Sequence, residues 1–489
     1  MDKHNIYIGF DSTNYGQHLA YEVCKKSILK YNKSNNIIIN KLVKKDLETQ
    51  NIFNRNDNTG STEFTYTRFL VPYLNNYKGW ALFCDSDFLW FCDVDEIFDK
   101  YNDEKYAVYC VKHTYQNCNH TLKMNGKKQE WYPRKNWSSL MLFNCSHPSI
   151  KNLSVDNINQ KSPQWLHRME WCKENEIGEI DTRYNYLINY YSDNDYKVLH
   201  YTDGGPWYLN HRYSLYSNKW LNYLTNNEKI KLEIELKKEY LNSILCCIPA
   251  RYNSSRLKGK PLLKINNKTI INMVYEQVKK TIINKDNIII LTDNDEIYNE
   301  VVNFGGKCFI IKEKCLNGTD RIINYLNHIE HSNYNFILNV QGDEPFINPN
   351  AINKLIEEHF NKYNNNICST ICYKTNNTEE IKLKSKGKVI VNKNNNILYC
   401  SRNIIPTSYH YDIINNIEYN IHVGIFLYNK DYLLTYYHKE NTYYQLLEDI
   451  EWLKIIEQGF NINTIFYDKM ERGIDTKEDY QYLLNKYQK

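Results

Sequence analysis

The chain has 489 residues, too many for one ordinary core and enough for two or three domains of common size. Hydrophobic residues make up 42% and charged residues 24%, a globular balance that excludes collagenous, disordered and coiled-coil chains. The formal net charge is only +4, so no strong field recommends nucleic acid or a membrane surface as a partner.

The first residues, Met1-Asp2-Lys3-His4, lead straight into a strand-like run, Asn5 to Phe10, without the cationic and apolar segments of a secretory leader. No apolar run approaches the ~18 residues of a transmembrane helix. The fourteen cysteines are scattered, with no CxxC and no Cys/His zinc spacing. Cys368 and Cys372 flank a strand-like Ser-Thr-Ile and read as buried thiols. The expectation is a reducing, cytoplasmic setting.

Asp-X-Asp occurs four times, at Asp85/Asp87, Asp93/Asp95, Asp193/Asp195 and Asp293/Asp295. Within the first half, only Asp85-Ser86-Asp87 both follows a buried-looking strand (Trp80–Cys84) and precedes a second apolar run (Phe88–Phe91). That context sets two carboxylates at a sheet edge, spaced to clamp one divalent ion on a diphosphate. His200, after the short run Tyr196–Leu199, is a candidate third ligand; taken alone it reads as a core or capping histidine. Trp137 and Trp207 suit stacking on a sugar and plain core equally.

Residues 5 to about 215 resemble GT-A-type glycosyltransferases, near glycosyltransferase family 8. The segments that carry the resemblance are GFDS (Gly9–Ser12), TEFTYTRFLVPYL (Thr62–Leu74), GWALFCDSDFLW (Gly79–Trp90), YPRKNWSSLMLFNC (Tyr132–Cys145) and HYTDGGPW (His200–Trp207). It implies Asp85, Asp87 and His200 as ligands of Mn²⁺ or Mg²⁺, and Arg68 near the phosphates of a nucleoside diphosphate sugar donor. The acceptor would be a glycan or a protein. Gly205 departs from the pattern, standing before Pro206 where family 8 members often carry a lysine.

Residues 226–243 (NNEKIKLEIELKKEYLNS) form a charged stretch read as a linker between a domain at 1–225 and another at 244–489. Its apolar residues Ile230, Leu232, Ile234 and Leu236 recur every second position, the strand template. Its Glu/Lys/Leu composition favours helix, which leaves its secondary structure open.

In the second half, strands are predicted at Ile244–Pro249, Asn287–Thr292, Lys307–Ile311 and Phe336–Gln341, with helical patterns at Ile270–Thr281, Glu296–Phe304 and Thr319–Ile329. Ligands of such sheets sit beyond the carboxyl ends of the strands. After the first strand, IPARYNSSRLKGKP places Arg251, Arg256 and Lys260 in one loop. Three cations there suit a polyphosphate, although a solvated basic turn reads alike. It is no Walker A loop, because Lys260 is followed by Pro261. The fourth strand ends in NVQGDEP, with Asp343 just outside the sheet, and GIDT (Gly473–Thr476) follows a later apolar run and offers Asp475. Two carboxylates facing a cationic loop suit metal-assisted phosphoryl transfer, and each read singly is also a helix N-cap.

Residues 244–489 resemble the 3-deoxy-manno-octulosonate cytidylyltransferases (CMP-Kdo synthetases) along almost their whole length. The segments are IPARYNSSRLKGKPL, LTDNDEI, NFGGKCF, NGTDR, NVQGDEP, LYCSRNIIP, HVGIF and GIDTKED, in the family's order and spacing. The resemblance implies that CTP and a sugar acid give a CMP-sugar and pyrophosphate with Mg²⁺. Arg251, Arg256 and Lys260 would hold the triphosphate, and Asn317–Arg321 (with Gly318, Thr319 and Arg321) and Gln341 would line the nucleotide pocket. Asp343 and Asp475 would bind Mg²⁺, while Arg402, His422 and Glu451 would face the sugar acid. Association as a homodimer through this half is a further expectation. Phe426 stands where the family has a tyrosine and Trp452 where it has a sugar-contacting glutamine, so each removes a hydrogen-bonding group from the sugar side.

The sequence thus predicts an α/β protein with two Rossmann-like nucleotide-binding domains, a GT-A fold followed by a nucleotidyltransferase fold. Its expected function is bifunctional, a metal-dependent glycosyltransferase joined to a cytidylyltransferase for surface glycan synthesis. In the rival reading only the second half is catalytic and the first is a sugar-binding module, or the sugar acid is a sialate-like or amino-substituted analogue.

Overall fold

The computed structural model describes residues 3–487 apart from 56–59, 115–121, 124–126, 129–132, 254–256, 332, 363–366, 411–412, 415–416, 438–440 and 469. It comprises two compact units, Met1–Leu236 and Lys237–Lys489. No described helix is long and apolar enough to cross a membrane.

The first unit is built on a six-stranded sheet in the order Ile37–Val43, His4–Phe10, Trp80–Cys84, Leu140–Asn144, Val108–Cys110, Ile177–Glu179. Leu140–Asn144 runs antiparallel to both neighbours, and the remaining pairings are parallel. The strands are apolar on both faces because both faces are covered. Tyr7, Ala81, Phe83, Met141 and Phe143 enter one core, while their alternates Ile6, Ile8, Leu82, Leu140 and Leu142 enter the other. Tyr21, Cys24 and Ile28, one stripe of the helix Tyr15–Tyr31, close that second core. A three-stranded sheet adds Tyr186–Leu187, Val198–His200 and Phe88–Trp90. Its antiparallel register sets His200 opposite Phe88, next to Asp87.

The charged segment is a helix, Asn226–Asn242, and the division between units falls inside it. Composition outweighs the spacing of two because the buried stripe runs at i, i+4 and i+8. Leu232, Leu236 and Tyr240 are buried, whereas Ile230 and Ile234 stay 60% and 58% exposed. Thr225 and Glu228 cap its start reciprocally: Thr225 N–H donates to Glu228 Oε2 (2.7 Å) and Glu228 N–H to Thr225 Oγ1 (3.2 Å).

The second unit has a nine-stranded mixed sheet. Its main path is Cys308–Ile310, Ile288–Thr292, Ile244–Ala250, Phe336–Val340, Tyr419–Asn429, Cys368–Thr375, Ile462–Phe466. The first four strands are parallel, and Tyr419–Asn429 is antiparallel to both its neighbours. Off this path, Lys388–Val391 pairs with both Ile397–Ser401 and Tyr419–Asn429. Helices Ile270–Val278, Asp295–Asn303 and Gly318–His328 occupy the expected intervals, the first three residues shorter than its pattern. Cys368 and Cys372 are fully buried free thiols, as are most of the described cysteines.

Candidate functional site

In the first unit, Asp85 and Asp87 leave the Trp80–Cys84 strand at its carboxyl end and His200 closes Val198–His200. Each offers one ligand atom, all within 4.8 Å of one another. His200 Nε2 stands 3.4 Å from Asp87 Oδ1, a buried oxygen without a hydrogen bond. The other imidazole nitrogen, Nδ1, meets Asn185 Oδ1 at 2.7 Å, which assigns the proton to Nδ1 and turns the Nε2 lone pair toward the carboxylates. Phe88 stacks on the ring at 4.4 Å between centroids. An orphaned carboxylate oxygen beside an imidazole lone pair fits a divalent cation.

Arg68 is buried, and its Nη1 lies 2.9 Å from Asp85 Oδ1 and donates to Ser138 O at 2.8 Å. Its nearest role is therefore to hold Asp85. Trp137 packs against the core at its partly buried edge, and Trp207 is buried against Tyr201 and Trp220. A Cβ on Gly205 would stand 2.1 Å from the Trp207 ring, so the backbone there admits no lysine without displacing that indole.

In the second unit, the ends of Ile244–Ala250 and Phe336–Val340 open into a cavity of about 400 Å³. Gly342 allows the two strand ends to meet: its N–H donates to Pro249 O, and a Cβ would stand 2.8 Å from that oxygen. Asp343 follows at once. Ile474 N–H donates to Asp343 O (2.9 Å), which brings the distant Asp475 alongside. The Lys260 ammonium joins the two carboxylates, 2.5 Å from Asp343 Oδ2 and 3.9 Å from Asp475 Oδ1, and donates to Ile474 O at 2.6 Å. Hard oxygen donors at strand ends fit Mg²⁺.

Arg251, Gly318, Arg321, Gln341, Arg402, His422 and Glu451 line the same cavity, which brings together segments far apart in sequence. Arg256 lies outside the described residues. Thr319 is fully buried behind the wall and donates its hydroxyl to Glu451 Oε1 at 3.1 Å. Burial pushes the Glu451 carboxyl up to about 7. Arg321 Nη2 pairs with Asp293 Oδ2 at 3.0 Å, and Asp293 also accepts Tyr252 N–H, which ties the cationic loop to the helix. The Arg402 guanidinium donates to the carbonyls of Lys384, Glu448 and Asp449. His422 Nε2 meets Thr370 Oγ1 at 2.9 Å, and burial drops this imidazole to about 3, so it stays neutral.

Phe426 and Trp452 line the cavity beside His422, their ring centroids 5.0 Å and 4.8 Å from its own. Sequence reasoning passed over Glu344, a further carboxylate in the cavity, next to Asp343. Burial, then the Asp343 and Asp475 charges, push it up to about 8. It sits inside the NVQGDEP segment, so its neighbours were its signal. Lys386 and Arg472 also line the cavity, from loops without any pattern of their own.

A parallel sheet whose strand ends present a basic loop and paired carboxylates is a nucleotide-transfer architecture. Residues 245–469 match the cytidylyltransferase family model. The chain is 38% identical over 245 residues to Protein CDI of Arabidopsis thaliana, covering 49% of this chain and 90% of that protein. It is likewise 38% identical over 239 residues to the 3-deoxy-manno-octulosonate cytidylyltransferase of Fusobacterium nucleatum subsp. nucleatum, covering 49% and 94%. A solved CMP:2-keto-3-deoxy-manno-octonic acid synthetase complexed with CTP aligns at 30% identity and TM-score 0.45, over 50% of this chain and 97% of its own. Through its C-terminal half the chain belongs to the 3-deoxy-manno-octulosonate cytidylyltransferase family.

Proposed function

We propose that the chain is a bifunctional, cytoplasmic enzyme of surface glycan synthesis. Its second unit joins CTP to 3-deoxy-manno-octulosonate or a related sugar acid, and its first transfers a sugar from a nucleoside diphosphate sugar. The observation that carries the first part is the convergence of Lys260, Asp343 and Asp475 on one cavity at the ends of parallel strands.

In the cytidylyltransferase reaction the anomeric oxygen of the sugar acid bonds to the α-phosphorus of CTP as the bond to pyrophosphate breaks. The hydroxyl proton passes to solvent or a carboxylate. Arg251 and Lys260 neutralise the phosphates, and Gly318, Thr319, Arg321 and Gln341 shape the nucleotide side. Arg402, His422 and Glu451 form the sugar side. Asp343 and Asp475 would hold Mg²⁺, which when bound supplies further charge to the leaving pyrophosphate. The aromatic wall of Phe426 and Trp452 favours a related sugar acid that presents fewer hydrogen-bonding groups at this wall than 3-deoxy-manno-octulosonate does. Self-association through this half has a candidate surface in Tyr443, Leu446 and Leu447, which are exposed on one short helix.

In the first unit Asp85, Asp87 and His200 would hold Mn²⁺ or Mg²⁺, with Arg68 fixing Asp85. A departing nucleoside diphosphate carries charge well matched to a divalent ion, whereas a CMP-sugar leaves a single phosphate that does not generally require one. The donor is therefore a nucleoside diphosphate sugar rather than the product of the second unit. The test is donor cleavage by the full chain with and without Mn²⁺ or Mg²⁺. Metal-independent consumption of the CMP-sugar contradicts the reading, and sugar binding without cleavage of any donor favours a binding module instead.

A further inference from the structure

Lys388 is the one lysine among the described residues that is fully buried by exposure, at 0%. Such a side chain is costly to bury unless its ammonium is completely satisfied. Here it is. Nζ donates to Leu383 O at 2.9 Å, Lys386 O at 2.8 Å and Arg402 O at 2.6 Å, which uses all three N–H groups. No carboxylate takes part.

The owners of those carbonyls matter. Leu383, Lys386 and Arg402 all line the cavity of the second unit. They lie on two separate segments, one before the Lys388–Val391 strand and one after Ile397–Ser401, and the lysine bonds to both. Arg402 extends the same bracket, since its guanidinium reaches Lys384 O and the carbonyls of Glu448 and Asp449, just before Glu451. Backbone carbonyls held by a buried cation move little, and a site displaced by an ångström loses much of its rate.

We propose that Lys388 is a positioning residue of the nucleotidyl-transfer site. Its ammonium fixes the wall formed by residues 383–387 and Arg402, against which the sugar acid is held. This rests on the functional reading above. The strand that carries Lys388 sets it opposite Ser401 and Ile421, and the titratable or charged groups facing it are Cys400, Arg402 and Glu448. Burial lowers its ammonium to about 8, so the bracket loosens above neutral pH.

Pyrophosphate release by the full chain tests this, with CTP and sugar acid varied in turn, in wild type, Lys388→Met and Lys388→Arg. The expected result for Lys388→Met is a sugar-acid KM raised about tenfold or more with the CTP KM within about twofold, and substantial recovery in Lys388→Arg. Unchanged constants, or equal loss for both substrates, overturn the proposal. If Lys388→Met does not fold, wild type and Lys388→Arg decide: a sugar-acid KM that rises between about pH 7 and 9 in wild type but not in Lys388→Arg supports the bracket, and the same profile in both overturns it. If wild type releases no pyrophosphate with any sugar acid, the functional reading itself has failed. Amide exchange then judges the bracket, because Lys388→Met must speed exchange in 383–387 and 400–402, and unchanged protection contradicts it.

Discussion

Phe426 and Trp452 put two rings into the cavity wall proposed to face the sugar acid, and both are buried against the His422 imidazole. Neither ring offers the contact that a tyrosine hydroxyl or a glutamine amide makes. Each restored hydrogen bond is worth about 0.5–1.5 kcal/mol net. Phe426→Tyr and Trp452→Gln should therefore each raise kcat/KM for 3-deoxy-manno-octulosonate by about 2- to 12-fold, measured by pyrophosphate release. A double variant that loses activity toward that acid, in a chain that already prefers it, would falsify the idea. At this scale the carboxylates were legible, because Asp85, Asp87 and Asp343 each follow an unmistakable apolar strand. Lys388 was not. Its partners are backbone carbonyls five residues before it, two before it and fourteen after it, and no side-chain pattern records them.

Two helices carry predictions of their own. The helix Asn226–Asn242 begins on the Thr225–Glu228 capping box, so Thr225→Ala should cost about 1 kcal/mol, read as a lower urea midpoint with unchanged slope. The box, TNNE, was present in the sequence as a helix signal; the spacing of Ile230, Leu232, Ile234 and Leu236 competed with it, and only burial separates the two. The helix Pro349–Asn361 carries His359, wholly buried with Nδ1 2.8 Å from Ser369 Oγ. Burial lowers this imidazole from 6.5 to about 3. Between those values the unfolded chain binds the proton and the folded chain does not. The contribution is thus complete above about pH 6.5 and is lost as pH falls toward 3, reaching about 2 kcal/mol at about pH 5. Comparing urea midpoints at about pH 7 and 5, His359→Gln should show a shallower acid loss than wild type. Equal slopes would mean that His359 titrates normally.

Over the whole molecule, two α/β units share one chain, and each presents acidic residues at the carboxyl end of a strand in a buried sheet. Their strands were legible because sheets covered on both faces read as continuous apolar runs. The three-stranded sheet that delivers His200 to Asp87 was less so, since its strands are two or three residues long and take their identity from pairing alone. The central claim is that one of these units makes a CMP-sugar and that the other does separate chemistry. The most direct measurement is pyrophosphate released from CTP, Mg²⁺ and a panel of sugar acids by wild type, Asp343→Ala and Asp87→Ala. The account predicts release by wild type with at least one 3-deoxy-octulosonate-like acid, a loss of at least about a hundredfold in Asp343→Ala, and near-normal release in Asp87→Ala. No release with any acid, or near-normal turnover in a folded Asp343→Ala, would contradict it.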